Sequence, residues 1–221
     1  MIESDIGQST GTAMLDSDML RSAMDHLVSI EPGFGRGLER VGYPEPRLRA
    51  RGYETMLRTI VGQQVSVAAA AAIWRKLEAE LGEGAPADVL LSCDFDALRA
   101  CGLSRQKQGY ARSLAELTVS GELDLDLLPP DDEEAIAQLI RVKGIGRWSA
   151  EIYLLFAEGR PDVFPAGDLA VQIELGRLMG LPERPSEKAV RLMAEAWRPW
   201  RGAAAIFAWH HYNNGMDMLK T

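Results

Sequence analysis

A chain of 221 residues with 47% apolar content can bury a core as one large domain or as two small lobes. A net charge of −8 excludes binding to nucleic acid through overall charge, so any DNA contact needs a local basic footprint, with steep salt dependence expected. Two cysteines outside any CxxC spacing and three histidines supply no usual zinc or iron–sulfur ligand set, and no cofactor is expected. The apolar run at residues 65–74 is alanine-rich and too short to cross a bilayer, and residues 1–11 carry no apolar signal core. No membrane partner is expected, and the expected location is cytoplasmic.

Along the chain, residues 1–16 are short, polar and glycine-containing, and are expected to be disordered. Met19, Leu20, Met24, Leu27 and Val28 predict a helix over 17–30, with Ser17 as its N-cap and Glu31-Pro32-Gly33 as its stop. Glycine and proline in 33–46 predict a connecting loop. Arg47, Arg49 and Arg51 form a basic run, either a DNA-facing patch or a solvated face. Helices follow over 52–61, 66–81, 94–101, 104–120 and 131–142, with Ser66 capping the second. The break at 62–65 places Gln63 and Gln64 in an exposed turn between two apolar helices. Cys93 and Cys101 read as small apolar fillers. Acidic residues gather at 78–83 and 122–134, whereas Arg141, Lys143 and Arg147 form a basic cluster.

Residues 139–178 read as helix, glycine turn, helix, proline-bounded loop and a helix opened by Asp168. In Lys143-Gly144-Ile145-Gly146-Arg147 the glycines occupy both positions where a Cβ would block a sharp reversal. Such a turn leaves the first N–H groups of the following helix unpaired, and a phosphate is their natural partner. Lys143 and Arg147 flank that point with mobile positive charge. Asp168 stands where an N-cap or first-turn residue would, a role worth about 1 kcal/mol. Helices over 168–179, 186–197 and 201–212 complete the chain, separated by Pro182, Pro185 and Pro199. No alternating apolar and polar run predicts a strand, so the expected fold class is all-α.

The ordered set VKGIGRWSA at 142–150 and VFPAGDLA at 163–170 resembles the helix-hairpin-helix, Gly/Pro-rich loop and aspartate signature of the DNA-repair glycosylases. Together with IVGQQVSVAAA at 60–70 and WRPWRGAAAIFAWHHY at 197–212, it most resembles the DNA-3-methyladenine glycosylase II family. The resemblance runs from about residue 52 to 212 and implies two helical lobes flanking a cleft. One lobe would hold 17–51 with 161–221, the other 52–160, including a helix-hairpin-helix near 131–157. Longer bacterial members carry an N-terminal β-rich domain, and this chain is similar to a short form without one.

By the same resemblance, the implied activity is hydrolysis of the N-glycosidic bond of alkylated purines, 3-methyladenine and 7-methylguanine, in base excision repair. The implied partner is double-stranded DNA containing alkylated bases, bound by a monomer. Asp168 would stabilise an oxocarbenium-like sugar, orient or deprotonate the attacking water, or do both. Trp148 stands where strand-nicking relatives carry a lysine, and it has no nucleophilic amine, which implies a monofunctional enzyme without AP-lyase activity. Trp148 and Trp209 would line a pocket for a cationic base, with Tyr53 as a further wall. Tyr53, Tyr153 and Trp200 read as pocket linings or, by the usual burial of aromatics, more readily as core, and His210 and His211 receive no catalytic role. Gln64 matches the wedge that fills the gap left by a flipped nucleotide, where the better-known bacterial pattern has leucine. Gln63 and Ser66 would accompany it on the DNA, and Lys143, Gly144, Ile145, Gly146 and Arg147 would hold the phosphate. Carbonyls of Val142 and Ile145 could hold a monovalent cation, as in relatives. Two other readings stay open: the same chemistry on hypoxanthine, uracil or an oxidised base, and a non-catalytic DNA-binding module in which Asp168 is only a cap.

Overall fold

The computed structural model describes residues 14–217, with side chains through residue 214, and every regular element among them is helical. In order they are α1 (Ser17–Ile30), α2 (Pro32–Val41), α3 (Tyr53–Gly62), α4 (Val67–Leu81), α5 (Ala87–Ser92), α6 (Phe95–Ala100) and α7 (Arg105–Val119). Then come α8 (Asp132–Leu139), α9 (Arg147–Phe156), α10 (Leu169–Leu178), α11 (Glu187–Met193) with a 3-10 turn (Ala194–Trp197), and α12 (Arg201–Asp217). Helices α1, α2, α10 and α12 pack on one another, with α11 and the 3-10 turn leaning on α10 and α12. Helices α3 to α7 form a second group, and α8 pairs with α9. Phe34 of α2 anchors the first group, its ring meeting Trp197 edge-on at 5.1 Å and Phe207 at 6.0 Å.

Most helix starts obey local chemistry. Ser66, Asp94, Ser104, Asp131, Asp168 and Ser186 each accept a backbone N–H from the third residue of the turn that they cap. The first helix departs from expectation, because Asp16 rather than Ser17 is the cap, accepting from Met19 N at 2.9 Å. The segment expected to be disordered falls outside the described residues up to residue 13, but its last part is ordered. Leu15 is 1% exposed, and its N–H donates to Gly159 O at 2.9 Å.

The expected loop at 33–46 is largely a helix, α2, with Pro32 in its first turn and Glu31 capping Gly33 N. Its glycines serve a close crossing rather than a turn. A Cβ on Gly33 would run into the Leu178 carbonyl oxygen, and one on Gly37 would lie 2.6 Å from Leu178 Cδ2, so glycine lets α2 lie directly on the end of α10. Helix α5 was not legible because Pro86 at its cap position gives no side-chain cap, unlike Asp94 before the equally short α6; its terminal carbonyls, Leu91 O and Cys93 O, accept from the Arg112 guanidinium of α7. Helix α8 stops at Leu139, before the expected 142, where tighter bonds from Arg141 N to Gln138 O and Val142 N to Leu139 O lead into the glycine turn. The expected helix over 186–197 divides into α11 and its 3-10 turn, and α12 continues past Tyr212.

Buried charge joins the segments around α8 and α9. Arg160, itself buried, pairs with Glu158 at 2.7 Å and Asp132 at 3.0 Å and donates to the carbonyls of Pro129 and Pro130. A buried guanidinium with that many acceptors is satisfied, so it fixes the segment after α9 against the one before α8.

Candidate active site

The turn before α10 is rigid before any function is assigned to it. Ala166 N donates to Phe164 O at 2.8 Å, Asp168 N to Pro165 O at 2.9 Å, and the buried Gln172 amide to Ala166 O at 2.8 Å. Asp168 Oδ1 caps α10 by accepting from Val171 N at 3.0 Å. The same oxygen accepts Trp209 Nε1–H at 3.1 Å, and Oδ2 accepts Trp148 Nε1–H at 3.0 Å. A carboxylate offers about four acceptor positions, so Asp168 retains capacity beyond these three donors. Asp168 is thus the N-cap of α10, and the same carboxylate also accepts both indole N–H groups.

The two indoles differ in setting. Trp209 is partly buried, with its ring 5.5 Å from that of Phe156. Trp148 is 46% exposed and forms part of the wall of a cleft of about 1010 Å³. Gln63, Gln64 and Gly144 line the same cleft, as do Arg49, Ser104, Lys107, Tyr110 and Ile152. Asp168 and Trp209 lie beyond the cleft lining and connect to it through the Trp148 indole N–H.

Tyr53 is not brought to this site. It lies outside the cleft lining and packs against the core. Its hydroxyl is buried without a hydrogen-bond partner, and burial, with the charge of Asp88, pushes its pKa up. Tyr153 is also a core residue, its hydroxyl accepting Gly52 N–H at 2.8 Å and pushed up to about 12, chiefly by burial. Ser66 caps α4, accepting Ala69 N–H at 3.2 Å, and does not line the cleft.

The hairpin corrects two further expectations. Only one of its glycines is sterically required: Gly144 has φ +82 and lies under the Tyr110 ring, which a Cβ would strike, whereas a Cβ on Gly146 would meet nothing within 4 Å. Gly146 is the N-cap of α9 and makes no side-chain cap bond. The second correction concerns charge. Arg147 is not mobile, because it donates to Glu133 at 2.9 Å and to the buried Glu151 at 2.9 Å, and Arg141 pairs with Glu122 at 2.5 Å. The Arg147 hydrogen bond holds the Glu133 carboxyl below its ordinary range. Burial pushes Glu151 up against the pull of Arg191 and Arg147. Lys143 is exposed, and its backbone N–H donates to Ser113 Oγ at 3.1 Å. Ile145 is buried, and its N–H closes the turn on Val142 O at 3.0 Å.

Sequence reasoning missed Tyr110 and Lys107, and left Arg49 open between a DNA-facing patch and a solvated face. Lys107 and Tyr110 share one face of α7 at i, i+3, a spacing visible in the sequence, but nothing local says that this face borders the cleft. Lys107 Nζ donates to Val61 O at 2.7 Å, and burial lowers its pKa. Arg49 reaches the site through tertiary pairing, its N–H donating to Phe156 O at 2.8 Å.

Residues 57–201 match the family profile described as HhH-GPD superfamily base excision DNA repair protein. The chain is 33% identical over 202 residues to DNA-3-methyladenine glycosylase 1 of Schizosaccharomyces pombe, covering 86% of each protein. Its fold superposes on the Schizosaccharomyces pombe 3-methyladenine DNA glycosylase solved with abasic DNA, with a TM-score of 0.73, 32% identity and coverage of 85% of this chain and 95% of that one. The DNA-3-methyladenine glycosidase structure from Bacillus halodurans gives a TM-score of 0.81 at 28% identity, covering 88% of this chain and 91% of that one.

Proposed function

Because the chain belongs to the HhH-GPD superfamily of base excision DNA repair proteins, we propose that it is a monofunctional glycosylase that removes alkylated purines from duplex DNA and leaves an abasic site. The observation that carries this reading is the convergence of Trp148 and Trp209 on the Asp168 carboxylate. Alkylation at N3 or N7 makes a purine cationic, and an electron-rich indole face attracts a cation. When the C1′–N bond breaks, its electron pair goes to the base, which leaves neutral, while positive charge passes to the sugar. A fixed carboxylate opposes that charge where it develops, and water then attacks C1′, its released proton passing to the carboxylate or to solvent. The two indole N–H groups and the α10 backbone hold the carboxylate in place before substrate arrives, so little reorganisation is left for the reaction.

Absence of lyase chemistry is part of the proposal. Tryptophan at position 148 offers no amine for a Schiff base, and the Lys107 amine in the cleft is bound to the Val61 carbonyl. Double-stranded DNA carrying alkylated bases is the proposed substrate, and a monomer the proposed working form.

The test is release of free base from methylated duplex DNA by wild type and Asp168→Asn, with strands examined before and after alkali. Asparagine caps a helix as well as aspartate does, so this variant removes charge and leaves the cap. The expected result is 3-methyladenine or 7-methylguanine from wild type, almost none from Asp168→Asn, and strand breaks only after alkali. Equal release by both proteins would leave Asp168 as a cap and refute the mechanism.

A further inference from the structure

The turn between α3 and α4 is strained and externally tied. Gln64 has φ +56, a left-handed conformation uncommon for a residue with a side chain. The neighbouring Gln63 does not extend free into the cleft: its side-chain Nε2–H donates to the carbonyl of Gly144, across the cleft in the hairpin, at 2.9 Å. Helix α7 braces both partners of that bond. Lys107 holds Val61 O just before the turn, the Tyr110 ring covers Gly144, and Ser113 Oγ accepts Lys143 N–H. Lys107, Tyr110 and Ser113 recur every three residues, on one side of α7. The Gln106 amide in turn donates to the Tyr110 hydroxyl.

We propose that Gln63 is a positioning residue for base extrusion: its amide fixes the wedge turn to the hairpin, so that a DNA strand gripped at the hairpin meets Gln64 at a set distance and in its strained conformation. The inference rests on the base-excision reading, but it concerns the extrusion step rather than bond cleavage. Without the tie the wedge turn relaxes, and part of the binding free energy goes into restoring it instead of parting the base pair. A lesion that is already unpaired does not need that work.

The experiment compares wild type with Gln63→Met, which keeps the side-chain length and removes the donor, and with Gln63→Glu, which places an acceptor against an acceptor. Single-turnover release of 7-methylguanine is measured from duplexes in which the lesion faces cytosine or an abasic analogue. A second arm uses 2-aminopurine beside an abasic analogue in duplex DNA, whose fluorescence reports unstacking without any cleavage. Both variants are expected to release the paired lesion about five- to tenfold more slowly, and the unpaired one within about twofold of wild type, as loss of one hydrogen bond would give. The fluorescence rise should slow in parallel, with thermal midpoints unchanged. Equal loss on both duplexes would make Gln63 a general structural residue, and no loss on either would show that Gln64 keeps its place unaided; either outcome overturns the proposal. If wild type releases 7-methylguanine from neither duplex, the alkylated-purine reading fails, while an unchanged or slowed fluorescence rise still decides the tie.

Discussion

At the scale of single residues, Asp168 holds two indole donors besides capping α10. Its two side-chain donors should not be equivalent, because water can replace a donor lost from an exposed position more easily than one lost from a partly buried position. Trp209→Phe is therefore expected to lower kcat for base release by about tenfold or more, and Trp148→Phe by about three- to fivefold. Equal effects in single-turnover assays would contradict the difference in burial. Glu133 makes a pH prediction. Its carboxyl is held below the ordinary range by the Arg147 hydrogen bond, so its contribution to stability is present above its unfolded value, about 4.3, and is lost as pH falls through the depressed value. Glu133 is exposed, so the effect is small. Comparing thermal midpoints from pH 6 down to about pH 3, Glu133→Gln should show a shallower decline than wild type.

Among the elements, glycine has two separate meanings. In α2 it allows one helix to lie against the end of another, and Gly37→Ala is expected to cost about 1–3 kcal/mol through overpacking against Leu178 and Phe207. In the hairpin, Gly144 supplies a backbone conformation and a clearance under Tyr110, whereas Gly146 supplies neither. Gly144→Ala should thus displace the turn and weaken duplex binding, while Gly146→Ala should cost about 0.5–1 kcal/mol in stability, as an N-cap substitution, and leave duplex binding in place. Chemical denaturation and fluorescence anisotropy on the same variants separate these effects; similar losses from both substitutions would refute the distinction. The cysteines play no comparable part, since burial pushes both thiols up and away from reactivity at neutral pH.

On the scale of the whole molecule, most of the basic cluster at the hairpin is already paired with acidic side chains. Arg141 and Arg147 are already matched by Glu122, Glu133 and Glu151. Fewer cations are then available to displace counterions, so duplex affinity should fall less steeply with salt than a count of basic residues implies. Lys143→Ala is expected to reduce the slope of log affinity against log salt by about 1, and Arg147→Ala to leave it nearly unchanged. A reversed order in salt titrations would mean that the Arg147 pairs open on DNA.

Local sequence was sufficient for what neighbouring residues control. The caps at Ser66 and Asp168, the turn at Gln63 and Gln64, and the helix–glycine–helix order depend on atoms a few residues apart. The all-α class follows from apolar periodicity of the same range. Tertiary structure decided the rest, because the partners are remote in the chain: Trp148 and Trp209 reach Asp168 from 20 and 41 residues away, and Gln63 reaches Gly144 from 81. The α2 glycines look like a loop until Leu178 is placed against them, and Arg147 looks mobile until Glu133 and Glu151 are beside it. Sequence states which groups a chain offers; which of them are left free for a ligand depends on what packing brings against them.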